Sequence, residues 1–304
     1  NAQIAHYSST FSKGSIDQIR IYDSALSASE VSDLYAEPAA SNNTLNYPAG
    51  AGCIAAYPLQ TDAVDLSGNY SGTPSNVTFG QPGYLTGNTN GTIPSTVATN
   101  VDAGFSIVKY TGSGSGAVTV GHGLDVAPEM YIVKSLSTGN WWTYHSGLNG
   151  GVNPSHYFIR LDLSNAESFN ASSGGSIFNS TEPTSTVFSG GTTINGAENF
   201  IAYCFTSIPG YSKVGSYTGT GANGNSIFTG FEPAFVMVKR TNAADNWTIV
   251  DSKRGLNESL FPDLSSQELN NSGAISFESN GFTVNGASGG WNNGSSTYIF
   301  MAIA

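Results

Sequence analysis

The chain repeats itself. Phe105–Tyr144 reads FSIVKYTGSGSGAVTVGHGLDVAPEMYIVKSLSTGNWWTY, and Tyr211–Ile249 reads YSKVGSYTGTGANGNSIFTGFEPAFVMVKRTNAADNWTI. Tyr110-Thr111-Gly112 aligns with Tyr217-Thr218-Gly219, Pro128 with Pro233, Val133-Lys134 with Val238-Lys239 and Trp142-Thr143 with Trp247-Thr248, at a shift of about 105 residues. Later marks follow: Ile194-Asn195-Gly196 pairs with Val284-Asn285-Gly286, and Phe200–Phe205 (FIAYCF) with Tyr298–Ile303 (YIFMAI). This period is too long for one turn of a solenoid, so each copy is expected to be a small domain, 104–208 and 209–304.

Within each copy the apolar residues carry strand periods. Met130–Lys134 and Phe235–Lys239 are apolar runs that start just after a proline, and the Trp-Thr stretches are their expected partners across a turn. Gly112, Gly114 and Gly116 read as a hairpin tip. Two more hairpins are expected around Gly190-Gly191 and Asn280-Gly281, the latter dipeptide signalling a type I′ turn. Both faces of the closing FIAYCF strand are apolar, which places it centrally in a sheet. The fold class that follows is all-β, with two tandem antiparallel β-sandwiches of jelly-roll-like form.

Composition narrows function. Charged residues are 10% of the chain and the formal net charge is -11, so clustered Lys and Arg for nucleic acid or an anionic membrane are lacking. No apolar run approaches a membrane span, so no membrane insertion is expected. Of the two cysteines, Cys204 stands where the second copy has Ala302, which predicts a buried thiol packed as a small hydrophobe.

The N-terminal part differs. Ser15–Tyr35 reads SIDQIRIYDSALSASEVSDLY: an alternating strand, then one short helix near residues 27–36, with Ser27 and Glu30 forming a capping box and Leu26 and Val31 at the staple positions. Residues 39–52 are a linker by composition. In 53–79, Tyr57-Pro58-Leu59 is strand-like and Asp65-Leu66-Ser67-Gly68-Asn69 is a turn; Asp62, Asp65 and Asn69 are better read as Asx-turn formers than as a calcium site.

Two resemblances bear on these patterns. The phrase Ile16-Asp17-x-x-Arg20-Ile21-Tyr22 through Leu34-Tyr35 resembles the closing strand and helix of laminin G-like, concanavalin A-like domains, and 53–79 resembles the opening of another. That resemblance makes 1–38 the end of one such domain and 53–103 a clipped opening or connector. Tyr110–Lys134, Asn140–His145, Phe200–Phe205 and Gly210–Gly219 are similar to phrases that recur in an uncharacterised tandem domain of tailed-phage tail-fibre and appendage proteins, notably of marine phages. It implies a viral structural protein on the virion's extracellular surface, involved in host attachment, homo-oligomeric with a trimer favoured, and in contact with other virion proteins.

No catalytic phrase is present: there is no HExxH, GxSxG or P-loop, the four histidines are dispersed, and Asp162, Glu167, Glu182 and Glu198 find no counterparts in copy 2. The expectation is no enzyme, no cofactor and no metal site. The duplication separates shared residues, expected to serve the fold, from unshared ones. Trp142 and Trp247 fall in the first class. Trp141, Tyr144, His145 and Trp291 are candidate ligand-binding residues, since exposed aromatic rings stack on sugars. The alternative function is therefore an adhesin or receptor-binding domain that recognises a host surface glycan.

Overall fold

A computed structural model describes residues 6–7, 10–11, 19–35, 53–57, 86–137, 139–170, 175–270 and 274–304. The linker 39–52 and the Asp62, Asp65 and Asn69 turn lie outside them. The chain forms two compact units, Asn1–Gln81 and Pro82–Ala304.

In the first unit, β1 (His6–Tyr7) pairs with β2 (Thr10–Phe11), and β3 (Ile19–Tyr22) is followed by α1 (Ala28–Tyr35). The capping box is formed: the Ser27 N–H donates to the Glu30 carboxylate at 2.7 Å, and the Glu30 N–H donates back to Ser27 Oγ at 3.3 Å. Val31 is exposed. β4 (Cys53–Tyr57) runs antiparallel to β3.

The second unit begins with β5 (Thr86–Asn88) and β6 (Ser95–Asn100) and continues through β7 (Phe105–Thr111), β8 (Val118–Gly121), β9 (Met130–Ser135), β10 (Trp141–His145), β11 (Tyr157–Arg160), β12 (Ser168–Phe169), β13 (Val187–Gly190) and β14 (Asn199–Phe205). Copy 2 supplies β15 (Ser212–Thr218), β16 (Asn225–Phe228), β17 (Phe235–Arg240), β18 (Thr248–Asp251), β19 (Glu258–Leu260), β20 (Leu269–Asn270), β21 (Ile275–Glu278), β22 (Gly281–Val284) and β23 (Thr297–Ile303). Copy 1 builds an eight-stranded sheet, β12-β11-β10-β9-β14-β7-β6-β5, facing the pair β13-β8. Copy 2 builds a six-stranded sheet, β15-β23-β17-β18-β19-β20, facing β16-β22-β21. The ladders are antiparallel and β14 and β23 are central, as their two apolar faces require.

Three cores result. Val108, Val120, Tyr131, Val133, Phe188 and Phe200 fill the first sandwich. Val236, Val238, Val250, Phe282, Tyr298 and Phe300 fill the second. A third core, including Met130, Ile132, Ile159, Met237, Trp247 and Ile299, lies between the two main sheets. Alternate residues of one strand serve different cores: Tyr131 and Val133 point into the first and Met130 and Ile132 into the third. The copies thus pack face to face as four layers of one unit, and the expected division at 208/209 is not a boundary between separate domains.

Four local expectations are corrected. Residues 86–100 belong to the copy 1 sheet and not to a 53–103 connector, because β6 pairs with β7 along its whole length. The Gly112–Gly116 stretch is no hairpin tip but an arch between sheets: β7 pairs with β6 and β14, and β8 with β13. Gly112 is required by close approach, since a Cβ there would lie 2.1 Å from the Gly196 carbonyl oxygen. There is no hairpin at Gly190-Gly191, where β13 runs out into a short 3-10 turn over Thr192–Ile194. The β21–β22 hairpin exists, but neither Asn280 nor Gly281 has positive φ, so its turn is not type I′. Gly281 is needed because a Cβ would lie 2.0 Å from the Ile227 carbonyl oxygen on β16.

Candidate functional site

The four candidate residues do not converge on one surface. Trp141 lies half-buried against the core between the copies, its ring parallel to Tyr203 with centroids 6.5 Å apart. Tyr144, two strand positions beyond Trp142 on the same face of β10, is buried in the first sandwich core and stacks on Tyr131 with centroids 4.7 Å apart. Its hydroxyl donates to Glu182 at 2.6 Å, while the Ser155 N–H donates to the other oxygen of that carboxylate at 3.0 Å. Burial foremost, and then this bond to Glu182, push the Tyr144 hydroxyl far above its usual range. His145 points into the interface between the copies and is 1% exposed. Its Nδ1 accepts from the Gly147 N–H at 2.9 Å, which puts the proton of the neutral ring on Nε2, 3.2 Å from the Phe300 carbonyl of copy 2. Burial pulls its pKa down to about 4.

Ladder register overturns the tryptophan assignment. Trp142 stands opposite Val133, and Thr248 opposite Val238. Since Val133 and Val238 are equivalent, Thr248 is the counterpart of Trp142, and Trp247 that of Trp141. The hydrogen bonds agree: the Trp141 N–H donates to Asp162 at 3.1 Å and the Trp247 N–H to Asp263 at 3.1 Å. Asp162 therefore does have a counterpart in copy 2. Trp247 is fully buried in the third core and ties the copies together through Nε1–H to the Arg160 carbonyl at 2.8 Å. Trp142 is the extra ring; it lies half-buried under the Arg160 guanidinium, 5.5 Å from its centroid.

Trp291 is likewise a part of the scaffold. The Tyr110 hydroxyl donates to the Ile194 carbonyl at 2.8 Å, and the Tyr217 hydroxyl to the Trp291 carbonyl at 2.6 Å. Next in sequence, Asn195 accepts from the Ser113 N–H at 2.7 Å and donates to the Ser115 and Gly116 carbonyls, bracing the glycine arch. Asn292 does the same in copy 2: it accepts from the Thr220 N–H at 2.9 Å and donates to the Ala222 carbonyl at 2.6 Å. Ile194-Asn195 thus corresponds to Trp291-Asn292, not to Val284-Asn285. Trp291 packs on the second core where Ile194 packs on the first, and its Nε1–H donates to the Asn285 carbonyl at 2.8 Å. The Trp291 ring, expected to be exposed, is thus partly buried.

The bracing role of Asn195 and Asn292 was not legible in the sequence, although each is an Asn following a large apolar residue ahead of the closing strand. Nor was the role of Lys239, which the sequence shows only as a mark of the repeat. Its side chain is fully buried and donates to the Arg240 carbonyl at 2.7 Å and, across the copies, to the Ser164 carbonyl at 3.3 Å. Burial lowers its pKa to about 8, opposed by the charges of Asp245 and Asp263. The Asp245 N–H donates to the same Ser164 carbonyl and the Glu167 N–H to the Thr241 carbonyl, both at 2.8 Å, so this is a polar seam that fixes the register of the copies. His122 is buried between Thr184 and Leu124, with its Nε2 3.1 Å from the Thr184 carbonyl. Cys204 is a free thiol, fully buried, and burial pushes it up to about 12, which leaves it a packing residue as its match to Ala302 predicts. Among the described residues no three His, Cys, Asp or Glu side chains gather in a way that could hold a metal ion.

A family model described as a domain of unknown function, DUF7483, matches residues 12–304. No curated protein and no solved structure matches the chain.

Proposed function

The chain belongs to the DUF7483 family, and we propose that it is a non-enzymatic structural protein of a phage virion appendage, a tail-fibre or surface-fibre segment displayed outside the particle. The observation that carries the reading is that side chains fit for chemistry or stacking are used by the scaffold. Trp141 and Trp247 fill equivalent places between the copies, Trp291 replaces Ile194 at a core end, and Tyr144 and His145 are buried. What remains is a unit crosslinked internally by hydrogen bonds between its copies, with few charges. Such a unit suits a load-bearing module. The tailed-phage phrases at Tyr110–Lys134, Asn140–His145, Phe200–Phe205 and Gly210–Gly219 support the assignment to an appendage.

In this role the chain works as one of several identical copies bound to other virion proteins. Light scattering of the purified full chain, alongside a glycan array, tests it. The expected result is a defined homo-oligomer with no saturable glycan binding. A monomer that binds defined glycans would overturn the reading in favour of the adhesin.

A further inference from the structure

In copy 1 the chain leading into β6 seals the outer edge of β8. The Thr92 N–H donates to the Thr119 carbonyl at 3.0 Å, the Thr119 N–H donates back to Thr92 Oγ1 at 2.9 Å, and Ser95 Oγ donates to the Gly121 carbonyl at 2.8 Å. Gly91 is required by the close approach, since a Cβ there would lie 2.4 Å from the Thr119 carbonyl oxygen. Ile93 completes the seal by packing on the first core.

Copy 2 has the same edge without the seal. Val120 and Ile227 are equivalent, each opposite a core phenylalanine, so Ser226 stands in the place of Thr119 and Phe228 in that of Gly121. The neighbouring strand β15 is closed to a further strand: Ser212 pairs with Ile208, the Val214 N–H donates to Ser207 Oγ, and Asn225 Nδ2 donates to the Thr218 carbonyl. The edge of β16 is open. Its register with β22 turns the backbone groups of Ser226 and Phe228 away from that strand, and among the described residues nothing bonds to them. Beside them is a cleft of about 360 Å³ lined by Lys213, Tyr217, Phe228 and Phe300. Phe228 is 72% exposed, more than any other large apolar side chain described.

The sealing phrase also occurs twice. Gly91-Thr92-Ile93-Pro94-Ser95 recurs one residue shorter as Gly72-Thr73-Pro74-Ser75, and Val97 is matched by Val77. These residues lie outside the described ones. The glycine, threonine and serine that make the seal in copy 1 are all kept. Ile93 alone is lost, and on the accepting side a phenylalanine ring, Phe228, replaces Gly121.

We propose that the open edge of β16 is an interface for a second copy of this chain, whose Gly72–Ser75 segment crosses Ser226 and Phe228 as Gly91–Ser95 crosses Thr119 and Gly121. Thr73 exchanges two hydrogen bonds with Ser226, Ser75 donates to the Phe228 carbonyl, and Phe228 is covered. Each chain gives one segment and takes one, so association continues until the oligomer closes. The inference does not depend on the appendage reading.

The test is light scattering of the full chain over a concentration series, with hydrogen exchange read at low and high concentration. A closed oligomer is expected, in which the Ser226 amide gains protection as it forms. Gly72→Val, which changes no residue of the three cores, should weaken association by about tenfold or more and return the Ser226 amide to fast exchange. Ser226→Pro should weaken it likewise, since proline at an outward-facing strand N–H keeps the pairing with β22. A monomer at every concentration, protection of Ser226 that does not change with concentration, or association that survives both variants would overturn the proposal. The last of these would leave the appendage reading standing.

Discussion

Val108 and Ala202 face each other across β7 and β14; their counterparts across β15 and β23 are Gly215 and Phe300. The volume has moved from one strand to the other, and a Cβ on Gly215 would lie 2.7 Å from the Phe300 ring. Gly215→Val alone should therefore cost about 1–3 kcal/mol by overpacking, and Phe300→Ala alone about 3–5 kcal/mol by leaving a cavity. The double variant restores the copy 1 pair, and denaturant unfolding should show it more stable than the sum of the single losses by about 1–3 kcal/mol. His145 sets a pH dependence. Its folded pKa of about 4 lies below the ordinary 6.5, so the unfolded chain takes up a proton first as pH falls. The contribution is complete above pH 6.5 and is lost between there and pH 4, a difference of about 3 kcal/mol. His145→Gln should flatten that limb when stability is measured across the range. At this scale the sequence was legible for Cys204 and misleading for Trp141: a doubled tryptophan offers two alignments, and only ladder register separates them.

Strands, by contrast, could be read well from apolar patterning. The central placement of β14 and β23 followed from their two apolar faces, and the pairing of β9 with β10 and β17 with β18 followed from the shared Val-Lys and Trp-Thr marks. The reading slipped in the second half of each copy. Copy 2 carries one additional strand there, β21, while β22 is the counterpart of β13: Phe188 corresponds to Phe282, as pairing with Val120 and Ile227 shows. Short motifs such as Ile-Asn-Gly and Val-Asn-Gly then matched out of register. Glycines misled for a related reason: Gly112 and Gly281 mark places where another backbone comes close, and a sequence does not distinguish that need from a turn.

On the scale of the whole molecule, alternation showed that the main strands are apolar on both faces but not what covers the second face. The other copy covers it. Residues 209–304 expressed alone would expose Met237, Trp247, Ile299 and Met301 together, and should be recovered self-associated or aggregated, never as a monomer, when analysed by size-exclusion chromatography. The same residues of each copy meet in that layer: Met130 and Phe235, Ile132 and Met237, Trp141 and Trp247, Tyr203 and Met301 are equivalent pairs, and all of them lie in it. A surface that contacts its own equivalent is isologous, the kind that joins two identical chains about a two-fold axis. Within this one polypeptide each copy therefore stands to the other as a subunit stands to its partner, at a local concentration that no dilution changes.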